Sequence, residues 1–268
     1  MKTFSKLSFI LPCYNCANTV EESLDSVYSQ ELKIPFEVIC TEDGSGDGTG
    51  VVLEKYKNEK RPGLRIFYHP RNMGEALSAN TCALNTKGDI IFRLDADNVL
   101  ESGSVQPLVS LLEESGEDAS SFSFYKNFYV LGKETGTWTY KHNNGFCDFS
   151  NVISNNSVPP ASGNYLFTKE SYIKSGGYPP GYGMASWGFG FRQLVNGGRI
   201  AILENSFYWH RLSSTSEWWR GQARNTNDID CKNFVLEYAH LFTEESQKWL
   251  RSGENFFVGI NSGRLIRK

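Results

Sequence analysis

At 268 residues, with 40% hydrophobic side chains, the chain is long enough for one large α/β domain and too apolar to be disordered. Its 27 Lys and Arg against 30 Asp and Glu leave a net charge of -3, which argues against a broad basic surface for nucleic acid. Six scattered cysteines (Cys13, Cys16, Cys40, Cys82, Cys147 and Cys231) read as reduced thiols of a cytoplasmic protein, and one C-x-x-C pair without a second does not make a zinc site. Residues 1–9 are too short and polar for a signal peptide, and no apolar run reaches the length of a membrane span. The expected location is cytoplasmic, with room for peripheral contact at the inner face of a membrane. The basic residues 263–268 read as a solvated end.

In chain order, residues 7–12 (LSFILP) form an apolar run stopped by proline, which predicts a buried strand. Asn18 precedes Glu21 by three residues, a capping-box spacing, and Val20, Leu24, Val27 and Tyr28 continue at helical period. Residues 36–41 (FEVICT) predict a second strand, running into the turn-rich segment 42–48 (EDGSGDG). A helix over 51–56, a strand over 64–68, a helix over 74–85 ended by Gly88 and a strand over 89–94 follow. A further helix is expected over 104–114. This alternation implies a mostly parallel sheet with right-handed crossovers, whose ligands bind at the carboxyl ends of the strands. Beyond it, residues 120–140 predict strands joined at 132–136, and residues 143–162 a polar loop. Helices are expected over 168–175 and 187–195, short strands over 200–203 and 206–209, and helix from Ser214 onward.

Three polar loops should therefore meet in one crevice: residues 13–18, 42–47 and 95–98. Asp95 and Asp97 stand one residue apart at the end of an apolar strand. A turning strand end can aim both at one ligand, and hard divalent cations such as Mn²⁺ or Mg²⁺ take such oxygens and bridge them to phosphate. As isolated residues they would equally serve as solvated turn carboxylates. Asp43 could accept a hydrogen bond from a base ring N–H, or simply shape its turn. Arg71, Asn72 and Gly74 open a helix whose N-terminus favours anions, or caps itself.

Taken together, residues 9–15 (FILPCYN), 42–49 (EDGSGDGT), Asn72-Met73-Gly74 through Asn80, 88–91 (GDII) and 94–98 (LDADN) resemble the inverting glycosyltransferases of family 2 in order and spacing. The likeness covers roughly residues 5–100 and continues more loosely through Gly176-Gly177-Tyr178, residues 187–192 and Tyr208-Trp209-His210. It implies a GT-A fold: a mostly parallel central sheet flanked by helices, with a C-terminal helical extension. The expected division is a nucleotide-sugar half (1–115), an acceptor half (116–212) and a helical tail (213–268). The resemblance assigns Pro12, Tyr14 and Asn15 to a first nucleotide-binding loop, and Asp43 to the base. Asp95 with Ala96 falls near the ribose, Asp97 with Asp95 on the metal, and His210 where many members place another metal ligand. Arg211, Arg220 and Arg224 are candidates for the diphosphate, since guanidinium pairs well with phosphate oxygens.

The implied partners are a nucleotide-sugar donor, UDP-linked as the first expectation, and a glycan or other hydroxyl acceptor, with no nucleic acid. Inversion needs a carboxylate to take the acceptor hydroxyl's proton. In the family it stands six or seven residues before an arginine that matches Arg192, and those positions hold Ser186 and Ala185. Asp148 and Glu204 are the substitutes within reach of sequence reasoning, and a catalytically silent nucleotide-sugar or glycan-binding protein is the alternative. A nucleotidyltransferase would carry a Gly-rich basic loop after the first strand, which residues 13–18 do not provide.

Overall fold

The computed structural model describes residues 2–61, 63–140, 142–154, 163–212 and 226–268. The first half alternates as expected: β1 (Leu7–Cys13), α1 (Val20–Tyr28), β2 (Phe36–Glu42), α2 (Thr49–Glu59), β3 (Arg65–Tyr68), α3 (Glu75–Leu84) and β4 (Ile90–Arg93). β1 lies between β2 and β4 and is parallel to both, with Cys13 opposite Glu42 and Ile10 opposite Arg93. β3 adds to β2 in the same sense. β1 reads as a nearly continuous apolar run because both its faces are covered. Ile10, Ile39 and Ile91 pack under α3 with Ala76, Ala79 and Ala83. Leu7, Phe9 and Leu11 pack on the other face with Val20, Leu24 and Val27 of α1.

The second half departs from simple alternation. After the short β5 (Val99–Leu100) and α4 (Val105–Ser115), β6 (Ala119–Phe128) turns back as β7 (Glu134–Thr139). Next come β8 (Phe146–Cys147), α5 (Phe149–Ser154), β9 (Tyr165–Thr168), α6 (Lys169–Lys174), α7 (Ala185–Val195) and β10 (Ile200–Arg211). β9 is inserted antiparallel between β4 and β6, giving the order β3-β2-β1-β4-β9-β6-β10-β5. Two antiparallel pairings in succession restore direction, so β6 and β10 point the same way as β4. The ends of β1, β2, β4, β6 and β10 therefore open on one edge.

Several sequence expectations are corrected here. Residues 143–162 are not wholly loop, since β8 and α5 lie within them. The two strands expected over 200–209 are one, bulged between Leu203 and Phe207, where Asn205 adopts φ 56. The capping residue of α1 is Thr19, not Asn18, and its hydroxyl is used elsewhere, as described below. Gly88 does not end α3: it lets the chain cross β1, where an added Cβ would meet Lys6 O and Ser8 Oγ at 2.7 Å. The basic end is not solvated throughout, because Leu265 is buried and Phe242 pairs with Arg267.

The C-terminal helices α8 (Thr226–Leu236), α9 (Glu244–Leu250) and α10 (Phe256–Asn261) close over α7. Phe234, Trp249 and Phe256 join Trp187 and Phe191 in the α3-side core, with Trp187 and Phe234 ring centroids 6.3 Å apart. All six cysteines are free thiols, five of them buried. Among the described residues no helix is long and apolar enough to cross a membrane.

Candidate active site

The loops after β1, β2 and β4 are tied to one another by their own polar groups. Asn15, in the left-handed region at φ 50, donates its N–H to Ser45 Oγ (3.0 Å) and accepts from Gly46 N through Oδ1 (3.1 Å). Ala17 N–H reaches Asp47 Oδ2 at 3.0 Å, and Cys16 N–H reaches Thr49 Oγ1 at 2.9 Å. On the other side, the Thr19 hydroxyl donates to the Ala96 carbonyl at 3.0 Å. Pro12 is half-buried at the end of β1, and Tyr14 stands exposed at the lip.

Asp43 is 2% exposed and fully engaged. Its Oδ1 accepts from Met73 N–H (2.9 Å) and lies 2.6 Å from His69 Nδ1, while Oδ2 accepts from Gly74 N–H (2.9 Å). The carboxylate thus fastens the loop after β3 and supplies acceptors at the start of α3, where backbone donors lack helical partners. Gly44 is required beside it: φ is +68, and a Cβ would come within 2.4 Å of the Arg71 carbonyl carbon. Arg71 and Asn72 stay exposed above this contact. Asp43→Ala is expected to lower stability by about 2 kcal/mol, because the two N–H groups and His69 lose their acceptor. Urea unfolding checks this, and an unchanged midpoint would leave the carboxylate no part in holding the loop.

Asp95 and Asp97 flank the buried Ala96. Asp95 Oδ1 accepts from Arg93 Nη2 at 2.7 Å, its Oδ2 from Asn98 Nδ2 at 3.3 Å, and its backbone N–H donates to Asn164 Oδ1 at 2.7 Å. The Asp97 carboxyl has no side-chain partner among the described residues. Burial first, and the neighbouring Asp95 charge second, push it up to about 7. β10 delivers His210 to the same edge, its ring 4.8 Å from that of Tyr125. Burial keeps this imidazole below its ordinary range, against the pull of Asp95. Asn98 joins the two elements, accepting the Arg211 backbone N–H at 3.0 Å.

Asp43, Asp95, Asp97 and His210 therefore all lie at the carboxyl edge of the sheet. Among the described residues no three His, Cys, Asp or Glu side chains form a ready-made metal-holding group. Arg211 lies at the site but is already employed. It donates through Nε to the Asp97 carbonyl (2.9 Å), pairs with Glu22 and covers the Phe128 ring. Arg220 and Arg224 lie outside the described residues.

Sequence reasoning missed the most connected group. Arg93, 2% exposed in β4, binds Glu75 Oε1 (2.6 Å), Asp95 Oδ1 and the Ser186 hydroxyl, and covers the Tyr178 ring. Burial opposes its charge, but Asp95 and Glu75 outweigh that and hold it firmly cationic. Ser186 also donates to Glu75 Oε1 at 2.8 Å, whereas Ala185 is buried at the start of α7. A charged residue closing an otherwise apolar strand was the available signal. Of the substitutes, Asp148 follows β8, which pairs with Ile200 at the opposite end of β10, roughly 30 Å of strand away. Its carboxylate accepts from Ser150. Glu204 is exposed and faces His142 at 3.4 Å.

Solved structures share this architecture. Staphylococcus aureus TarS 1–349 in complex with UDP-GlcNAc aligns at a TM-score of 0.69 and 18% identity, over 96% of this chain and 70% of that one. The mannosyltransferase PcManGT of Pyrobaculum calidifontis, in complex with GDP-Man and Mn²⁺, aligns at 0.63 and 18% identity, over 96% and 69%. In sequence, the putative glycosyltransferase EpsE of Bacillus subtilis is 32% identical over 114 residues, 42% of this chain and 41% of that protein. Chondroitin synthase of Pasteurella multocida is 38% identical over 101 residues, 37% of this chain and 10% of that protein. The chain thus aligns with less than half the length of these curated relatives. Residues 8–176, more than half the chain, match the model of Glycosyl transferase family 2. With its GT-A arrangement and its shared loop edge, the chain belongs to glycosyl transferase family 2.

Proposed function

We propose that the protein transfers a sugar from a nucleotide diphosphate donor to a hydroxyl acceptor, with inversion, at the edge where the loops after β1, β2, β3 and β4 meet. The observation that carries this reading is the fastening of those loops around Asp95 and Asp97, with Asp43 anchoring their outer wall. Family membership supports it, as do the UDP-GlcNAc and GDP-Man held by structurally similar proteins. Pro12, Tyr14, Asn15, Arg71 and Asn72 rim the donor side, with Asp43 and Gly74 beneath them and Ala96 between the carboxylates.

The donor set suits a hard divalent cation. Among the described residues the Asp97 carboxyl has no side-chain partner, burial and Asp95 oppose its ionisation, and burial lowers the His210 imidazole toward its neutral form. Asp97, Asp95 and His210 would hold Mn²⁺ or Mg²⁺, which when bound neutralises charge on a leaving diphosphate. The chain's own residues orient the donor, and Arg211 keeps the Asp97 loop in place from beneath.

A second reading, a silent nucleotide-sugar-binding protein, has one observation in its favour: Ala185 and Ser186 carry no carboxylate. One experiment separates the two. Purified protein is screened with UDP- and GDP-linked sugars and Mn²⁺ for thermal stabilisation, then for release of nucleoside diphosphate. The transferase reading expects stabilisation of several degrees by at least one donor and turnover of that donor. Binding without release, across a panel of hydroxyl acceptors, supports the silent reading. No stabilisation by any donor sinks both.

A further inference from the structure

The transferase reading leaves the acceptor proton without a destination, and one further carboxylate, Glu75, is tied to the Asp95–Asp97 turn through Arg93. Glu75 begins α3. Its Oε1 is fixed twice, by Arg93 Nη2 at 2.6 Å and by the Ser186 hydroxyl at 2.8 Å. Among the described residues its Oε2 accepts no hydrogen bond, and the side chain keeps about a third of its exposure, at 35%. Asp43 and Glu42 have both oxygens engaged, by His69, Met73 and Gly74 and by Gly44 and Ser45 respectively. Glu22 is paired with Arg211.

Glu75 also faces open space. It lines a cavity of about 260 Å³ between residues 73–77 and the loop of residues 180–183 that leads into α7. The same Arg93 guanidinium holds Asp95 at 2.7 Å, so Glu75 and the Asp95–Asp97 turn are fixed to one another across a single buried cation. A hydroxyl entering through the cavity would pass Glu75, which Arg93 ties to Asp95. The Ser186 hydroxyl and Arg93 lock the rotamer on the far side, which is how a general base is held ready.

We propose that Glu75 is the general base of this site, and that the cavity beside residues 180–183 admits the acceptor. The inference rests on the transferase reading. In the step, the acceptor oxygen bonds to the anomeric carbon from the face opposite the nucleotide. The bond from that carbon to the β-phosphate oxygen breaks, and its electron pair leaves with the nucleoside diphosphate. The hydroxyl proton passes to Glu75 Oε2 and from there to solvent.

Glu75→Gln tests this, because the amide can still accept from Arg93 and Ser186 through its oxygen. The probe is UDP-GlcNAc or GDP-mannose with Mn²⁺, whichever stabilises the protein more. Turnover is read as nucleoside diphosphate release and donor affinity by calorimetry. The expected result is a loss of kcat of at least about 100-fold, with donor Kd within about threefold of the unaltered protein. A merely structural Glu75 would lower donor affinity and melting temperature along with kcat, so an unchanged Kd and melting temperature beside the lost kcat separate the two roles. Turnover of Glu75→Gln within about threefold of normal overturns the proposal. So does a protein that binds a donor and never releases the diphosphate, in which case donor binding itself still stands.

Discussion

Asp97→Asn is expected to abolish cation-dependent donor binding while making the cation-free protein more stable at neutral and alkaline pH. The two effects share one cause. Burial and the Asp95 charge raise the Asp97 carboxyl to about 7 from an ordinary value of 3.8. An acid whose pKa is raised on folding binds more protons in the folded than in the unfolded state across that interval. Stability contributed at this position is therefore present below about pH 4, falls as pH rises, and is fully lost above about pH 7. A shift of about three units would correspond to about 4 kcal/mol. Asp97 keeps some access to water, so about 1 to 2 kcal/mol is the expected gain for the asparagine at pH 8. A bound cation acts in the opposite sense. It needs the ionised carboxylate, so Mn²⁺-supported donor affinity should rise with pH up to about 7 and then level. Removing the carboxylate should weaken that affinity at least about 100-fold, or about 3 kcal/mol. Calorimetry of donor with and without Mn²⁺ on both proteins, and thermal melts from pH 4 to 8 in chelator, read both effects. Unchanged Mn²⁺-supported affinity in Asp97→Asn would remove Asp97 from the ion's ligands.

How far the sequence could be read follows from which forces are local. β1 and β2 were legible because residues 7–13 and 36–42 are apolar runs ended by proline and glycine signals, buried on both faces. Asp95 and Asp97 were legible as carboxylates at a strand end. β9 was not, because four residues, Tyr165–Thr168, become a strand only when β4 and β6 present unpaired edges on either side. The single β10 was hidden for a related reason: the break at Asn205 resembles a turn in sequence, yet β6 pairs on both sides of it. The search for a base failed differently. Counting back from Arg192 found Ala185 and Ser186 along the chain, whereas the carboxylate against Ser186 comes from Glu75, 111 residues earlier. Only the packing of α7 against α3 brings those two together.

Arg93→Met is expected to be the most destabilising single change at this edge, lowering unfolding free energy by about 3 to 5 kcal/mol. The methionine fills similar space against Tyr178, so lost packing is a small part of the cost. What remains is a site holding Asp95 and Glu75 without the cation that both contact, at 2.7 and 2.6 Å. Each carboxylate side chain is about one third exposed, at 33% and 35%, so water can soften the repulsion without removing it. If the penalty comes from uncompensated charge, Arg93→Met/Glu75→Gln should recover roughly half of it in urea unfolding. If it comes from packing, the second substitution should change nothing. Arg93→Lys separates charge from shape. An ammonium restores one positive charge but cannot span Glu75, Asp95 and Ser186 with a planar fork. Its expected loss is about 1 to 2 kcal/mol. The charge alone would then keep the fold, while the guanidinium fork would be what fixes the distance between Glu75 and the Asp95–Asp97 turn. On that account Arg93→Lys should lose much more turnover than stability.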